Sequence, residues 1–495
     1  MLNFSESNAW GFIMIIGVLL GAIILANTIK QLIPFLRASL IPTSVLAGGI
    51  MLIISITYTL INGGNMFETA FFGSYGTSSE GSPITGLNVL ELITYHSLAI
   101  GFIATTFKPA SSEKPSKSRK IEIIDTGVTT VSTYLIQIII GMGIALLFPT
   151  LLYGFSCGGI LLAFGFGQGT GQSFNYGVIY ENWAKTSGGD PSYYLRNGGS
   201  FGLTIAALGF LSASIGGVIH LNILRKKKKI GSHEEEGAEH FKSEEIQTDD
   251  ELPMAGSVEK LSMQLAFVLI TYVAAYGIMV GLVKLLDLFN INFVAVIYGF
   301  NFLFGVLLAT LINTILRGLR KKKIMKKQYI NSFLMKRIAG FFFDLMVVAG
   351  IAAIKFEALK DYWLTFILFG ILGAVGTYFY LRVICKKVFP NYVENQFLMM
   401  YGMLTGTAST GVILLRETDK DLTSEAAENI VLQNIPAMIL GFPLMIIANN
   451  APNMPLATYF IVIGLFIMFN LFLFRKKIFK KRSKKTKVTE ETKSE

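Results

Sequence analysis

Eleven stretches of about 20 mostly apolar residues dominate this chain, and few folds accept them. They are 10–29, 45–60, 89–107, 126–148, 201–221, 261–283, 293–316, 333–354, 363–381, 430–448 and 458–474. A helix needs roughly 20 such residues to cross the hydrocarbon core of a bilayer. Only helices and closed barrels satisfy their backbone groups there. Composition agrees: 52% of residues are hydrophobic and 15% charged, against about 25% charged in soluble domains. That excludes a soluble enzyme of this length and excludes intrinsic disorder. The expected class is an all-α polytopic membrane protein of about 11 spans. Glu6 and the absence of a basic leader predict that the first segment stays as a span rather than a cleaved signal.

The formal net charge of +11 is explained by placement. With the N-terminus outside, all but five of the 43 Lys and Arg fall in cytoplasmic loops; the five are Lys185, Arg196, Lys284, Lys355 and Lys360. That is the positive-inside bias. It argues for a topological signal, with possible contact to anionic lipid, and against a nucleic-acid surface. The bias holds only if two further apolar stretches, about 151–174 and 397–415, enter and leave on one side as re-entrant hairpins. Both are broken by Gly, Thr and Ser.

The predicted organisation follows. Residues 1–224 form an N-terminal membrane half with its hairpin, and 225–257 form a charged cytoplasmic linker. Residues 258–450 form an inverted C-terminal half with its own hairpin. An extra span lies at 451–474 and a basic cytoplasmic tail at 475–495. Five spans per half is odd, so the halves enter the membrane in opposite senses. An inverted repeat with a hairpin between the fourth and fifth span of each half is a secondary-transporter layout, with the site near the midplane.

Gly154 to Gly202 holds 13 glycines in 49 residues. Its centre reads Gly165-Phe166-Gly167-Gln168-Gly169-Thr170-Gly171. The second hairpin reads Leu404-Thr405-Gly406-Thr407-Ala408-Ser409-Thr410-Gly411. Neither carries a formal charge. A half-helix beginning at such a tip offers free N–H groups and a positive dipole end, enough to hold a carboxylate without a buried arginine. Hydroxyls and freed carbonyls suit Na⁺. The expected substrate-binding residues are Gln168, Gly169, Thr170, Gly171, Thr405, Gly406, Thr407 and Ser409. The cation-binding candidates are Thr410, Asp344, Gln433 and Asn434. A carboxylate at membrane depth, as at Asp344, is costly and is by default a functional hypothesis. Gln433 and Asn434 precede Pro436, which frees a carbonyl.

Other polar residues are read as packing. Gln137 and Asn313 are expected to hydrogen-bond between helices, Asp125 to be an interfacial charge beside Lys120, and His96 and His220 to pack near span ends. Cys157 and Cys385 cannot build a disulfide framework or a zinc site. No His-Glu-x-x-His motif or carboxylate cluster at membrane depth argues for an enzyme, and no ring of charges argues for a channel.

At these motifs the sequence resembles the bacterial glutamate:sodium symporter family. Ile41-Pro42-Thr43-Ser44-Val45-Leu46-Ala47-Gly48-Gly49 is similar to the family's Ile-Pro-x-Pro-Val-Ala-Gly-Gly entry to the second span. Gly167-Gln168-Gly169-Thr170-Gly171 is similar to its Gly-His-Gly-Thr-Gly, with Gln168 in place of the histidine. Thr405-Gly406-Thr407-Ala408-Ser409-Thr410-Gly411 is similar to its second hairpin, Leu-Gly-Ala-Thr-Pro-Thr-Ala. The resemblance implies a homodimer in the cell membrane. It further implies a scaffold part, a mobile part that moves like an elevator, and Na⁺-coupled uptake of glutamate or a related acidic solute. A Na⁺- or H⁺-coupled carrier of a di- or hydroxycarboxylate is the alternative. No cofactor is expected beyond Na⁺ as coupling ion.

Overall fold

A computed structural model describes residues 7–77, 83–107, 116–187, 190–227, 259–289, 294–299, 301–325, 327–419 and 424–475. Most of the predicted linker and nearly all of the basic tail lie outside these residues. In chain order the principal helices are α1 (Ser7–Leu32), α2 (Thr43–Asn62), α3 (Gly86–Thr106), α4 (Lys117–Leu147), α5 (Thr170–Glu181), α6 (Gly198–Lys226), α7 (Lys260–Asp287) and α8 (Asn301–Lys321). They continue with α9 (Ser332–Ala352), α10 (Trp363–Val388), α11 (Val393–Thr405), α12 (Ala408–Arg416), α13 (Glu425–Leu432), α14 (Asn434–Asn450) and α15 (Pro455–Leu473). A small antiparallel pair of strands, β1 (Ser74–Thr77) and β2 (Pro83–Thr85), follows α2.

Among the described residues, nine helices are long and apolar enough to cross a membrane: α1, α2, α3, α4, α6, α7, α8, α10 and α15. The protein is therefore an all-α, multi-pass membrane protein. Two expected spans take other forms. The stretch 333–354 is the helix α9, which carries Lys336, Arg337 and Asp344. The stretch 430–448 is divided at Gln433 between α13 and α14, leaving 17 residues in the longer piece. Elsewhere the helices outrun their apolar cores: α4 begins at Lys117, capped by the Ser116 hydroxyl accepting from the Arg119 N–H, because polar first turns extend a helix into the interface at little cost.

The chain forms two compact units. One comprises Met1–Leu32, Thr43–Lys114 and Ser232–Phe356; the other comprises Ile33–Pro42, Pro115–Gly231 and Glu357–Glu495. Each draws on both sides of the linker. In the first unit α9 packs on α2 and α3, and α8 on α3 and α7. Small residues permit these crossings: a Cβ on Gly48 would lie 2.7 Å from Ile351, and one on Gly101 would lie 2.5 Å from Phe343. Without a hydrophobic drive between helices in lipid, such close approach is what holds them. Tyr95 donates to the Tyr298 carbonyl at 2.6 Å, and His96 shares a hydrogen bond with Tyr272 at 2.7 Å.

The second unit is built around α4, which at 1.5 Å per residue is about 46 Å long. The extra C-terminal helix α15 lies along it. Arg475 pairs with Asp125 at 2.7 Å, Asn470 and Tyr380 both donate to the Ser132 hydroxyl, and Tyr459 meets Gly143. Asp125 is thus a buried ion-pair partner of Arg475, not the ordinary interfacial charge read from its neighbour Lys120. Around α4 stand α10, α14 and two helical hairpins, and α6 packs on those hairpins and on α10.

Candidate functional site

The first hairpin descends through 3₁₀ turns at Pro149–Leu152 and Ser156–Ile160, then Leu161–Ala163 and a π-helical turn at Phe164–Gln168. It reverses at Gly169 and returns as α5. Gly169 has φ +83°, a left-handed value that costs glycine nothing and a branched residue a great deal. The two arms run antiparallel: Phe164 stacks on Tyr176 with centroids 4.2 Å apart, and Phe155 meets Tyr180 at 5.3 Å. Tyr176 and Tyr180 donate to the Met445 and Ala448 carbonyls of α14, both at 2.8 Å.

The second hairpin is α11 and α12, joined at Gly406–Thr407. Its arms touch backbone to backbone: a Cβ on Gly402 would lie 2.9 Å from the Gly411 Cα. Thr407 caps α12, its hydroxyl accepting from the Thr410 N–H at 3.4 Å. Three of the predicted second-hairpin residues are committed locally. Thr405 donates its hydroxyl to the Tyr401 carbonyl at 2.6 Å, and the Thr407 and Thr410 hydroxyls are 3.4 Å apart. Ser409 lies in α12, and its side chain is outside the described residues.

The tips of the two hairpins meet inside this one unit. A Cβ on Gly169 would sit 3.7 Å from the Thr407 methyl. Gly209, on α6, touches both: a Cβ there would lie 2.4 Å from the Thr405 carbonyl oxygen and 3.2 Å from the Phe166 Cα. From α4, Tyr134 donates to the Gly167 carbonyl at 3.2 Å, and the Gln137 amide donates to the Leu404 carbonyl at 2.8 Å and to the Thr377 hydroxyl at 3.0 Å. Gly169, Thr170, Gly171, Thr405 and Gly406 are buried, and Gln168 and Thr407 partly so. The Thr170 hydroxyl and both amide atoms of Gln172 are buried without a hydrogen-bond partner. Unsatisfied polar atoms in an interior are rare and costly, so their concentration on the first turn of α5 marks that turn.

The other cation candidates divide. Gln433 is buried; its oxygen accepts from Thr130 at 2.8 Å, and its amide nitrogen reaches the Met403 sulfur at 3.3 Å and the Asn434 oxygen at 3.2 Å. Asn434 is exposed. Asp344 belongs to the first unit, where it is exposed with the Ser44 hydroxyl in hydrogen-bonding reach; the remaining candidates all belong to the second unit.

Four participants were not singled out from sequence as site residues: Tyr134, Gln137, Gln172 and Gly209. The available signal was the polar run on α4. Thr126, Thr129, Thr130, Ser132, Thr133 and Gln137 interrupt an apolar span, and all are buried. His220 is buried and packs on Phe397, as expected, with hydrogen bonds that the sequence did not reveal. It bridges the Tyr378 hydroxyl at 2.8 Å and Glu394 at 3.1 Å, while Arg382 grips the same carboxylate at 2.6 and 2.9 Å. This charged cluster fixes the first turn of α11 to α6 and α10. Among the described residues, no group of three or more His, Cys, Asp or Glu could hold a metal ion. Neutral oxygens are what the hairpin region offers.

Compared with models of protein families and with curated proteins, the chain matches none.

Proposed function

We propose that this chain is a secondary active transporter catalysing Na⁺-coupled uptake of glutamate or a related acidic amino acid. The observation that carries the reading is the meeting of two helical hairpins, tip to tip, within one compact unit. The hairpin arms α5, α11 and α12 have 12, 13 and 9 residues, or about 14–20 Å of helix. A hydrocarbon core of about 30 Å is too thick for any of them to cross. They suit re-entrant segments, tolerated at depth because protein surrounds them.

At the tips, α5 and α12 present N-terminal ends and the first arms present C-terminal ends. The N–H groups of Thr170, Gly171 and Gln172 precede the first helical partner, since the Ser173 N–H is the one that bonds Gly169. A carboxylate suits that end. A monovalent cation suits the carbonyl ends, and the lack of a formal charge at either tip suits a solute and ion that neutralise each other. Both hairpins belong to one unit, so a site between them can travel with a single body, as an elevator-like mechanism requires. The order of helices is consistent with an inverted repeat of two five-span halves, each with a hairpin, plus one final span. The loop charges support an external N-terminus and a cytoplasmic linker and C-terminus in the cell membrane, and the resemblance supports a homodimer.

The same charge-free tips, with Gln168 in place of a titratable histidine, also suit a di- or hydroxycarboxylate. Proteoliposomes loaded with KCl and diluted into NaCl or choline chloride test both. Glutamate or aspartate accumulation that collapses without Na⁺ supports the proposal; accumulation of citrate or malate alone supports the second reading; no gradient-driven accumulation of any of the four overturns both.

A further inference from the structure

Gln137 lies near the middle of α4 and is fully buried. Its orientation is fixed by chemistry: the Leu404 main-chain carbonyl can only accept, so the atom 2.8 Å from it is the amide nitrogen. The other amide atom is therefore the oxygen, Oε1, and no hydrogen-bond donor meets it. It points to the first hairpin, 3.3 Å from where a Cβ of Gly167 would stand. Gln137 thus links the second hairpin through its nitrogen and faces the first through an idle acceptor.

The surroundings of that oxygen decide what it suits. Gly167 belongs to the π-helical turn Phe164–Gln168, which ends at Gly169. Leu404 belongs to the last turn of α11, which ends at Thr405. Both are C-terminal ends, where carbonyls lack intrahelical donors and the dipole is negative. The Tyr134 hydroxyl is directed to the Gly167 carbonyl and the Gln137 nitrogen to the Leu404 carbonyl, so neither donor serves Oε1, and that buried acceptor calls for a cation or a further donor. The groups that Gln137 meets, the Thr377 hydroxyl, the Leu404 carbonyl and Gly167, are all neutral, and a divalent ion would be left undercompensated by them. A small monovalent cation coordinated by neutral oxygens is compensated by the solute.

We infer that the side-chain oxygen of Gln137, with main-chain carbonyls of the first hairpin tip, ligates the alkali cation that couples transport. This deepens the Na⁺-coupled reading and rests on it. Gln137 then has two duties: its nitrogen holds the second hairpin and its oxygen holds the ion on the first.

Two variants separate those duties. Gln137→Glu keeps an oxygen at the Oε1 position and loses the donor to Leu404. Gln137→Met loses both. Full-length protein in detergent is heated at constant ionic strength in NaCl, LiCl, KCl or choline chloride, and Na⁺ dependence of uptake is followed in proteoliposomes. The expected result is stabilisation of the native chain by Na⁺ or Li⁺ over choline. That stabilisation should be lost in Gln137→Met and retained or increased in Gln137→Glu, with the half-saturating Na⁺ concentration raised at least tenfold in the first and not raised in the second. Equal damage in both variants would show a structural hydrogen bond only. An unshifted Na⁺ dependence in Gln137→Met would show a trapped water in place of the ion. Native protein indifferent to Na⁺, Li⁺ and K⁺ would also overturn the inference, whatever the uptake panel shows. The melting measurement needs no transport, so its failure is distinct from failure of the proposed function.

Discussion

Adding one methyl group at Gly209 tests whether the hairpin tips are where function resides. Gly209→Ala keeps α6 helical and gains about 1 kcal/mol of intrinsic helix propensity. Its Cβ would fall 2.4 Å from the Thr405 carbonyl oxygen, while ordinary contact begins at 3.4 Å. Something must yield by about 1 Å. Retreat toward Phe166 is blocked, because the Phe166 Cα and ring already stand at 3.2 Å. The second hairpin therefore moves away from the first. Overpacking of this size costs about 1–3 kcal/mol, so net destabilisation is about 0–2 kcal/mol and the protein should still insert and purify. Function should suffer far more, since about 1 Å of misplacement can cost ~100-fold where reacting or binding groups must be positioned. The assay is initial uptake in proteoliposomes beside thermal unfolding in detergent. Gly464→Ala is the control, because no described atom lies within 4 Å of its Cβ position; it should leave uptake unchanged and gain up to about 1 kcal/mol of stability from helix propensity alone. Uptake by Gly209→Ala within twofold of native would refute the placement of the site at these tips.

Five other substitutions probe the same unit. Gly169→Val should abolish uptake with insertion intact, because φ +83° excludes a β-branched residue, and Gly406→Val should do likewise, because its Cβ would stand 3.0 Å from the Gly402 carbonyl oxygen and the Thr410 hydroxyl; normal uptake in both would remove the tips from the site. Thr410→Ala removes the hydroxyl beside Thr407 and should raise the apparent KM for Na⁺ or solute, measured by uptake titration; if both stay constant, Thr410 is a capping residue alone. Asp125→Asn should destabilise by roughly 1.5–3 kcal/mol, as expected for a hydrogen bond to a charged group, and Arg475→Ala should add little on top of it in a double-mutant cycle of chemical unfolding; additive losses would mean that the Asp125–Arg475 contact does not couple α15 to α4.

The reversals of both hairpins were legible because they depend on local chemistry. Gly169 and the Gly406–Thr407 pair are turn residues set in apolar sequence, and two helical arms cannot reverse so tightly without such residues. The division of 430–448 at Gln433 departs from the single span expected there, although Pro436, three residues on, is a local signal for it. What could not be read is whatever depends on which segment packs on which. The pairing of His220 with Glu394 spans 174 residues, and that of Asp125 with Arg475 spans 350; each of these side chains reads in sequence as an isolated polar group near a span end.

Gln137 shows why the same limit applies at the site itself. In sequence it is an amide in an apolar span, for which an interhelical hydrogen bond is a sufficient explanation, and its nitrogen makes two. Only the position of its oxygen, buried and idle beside Gly167, distinguishes a residue that merely joins helices from one that keeps a valence open. A span with six buried polar side chains has enough hydroxyls to satisfy an amide fully, as Thr130 satisfies Gln433. That Gln137 is left half-satisfied, at the one place where both hairpins end, argues that the unused half has a ligand.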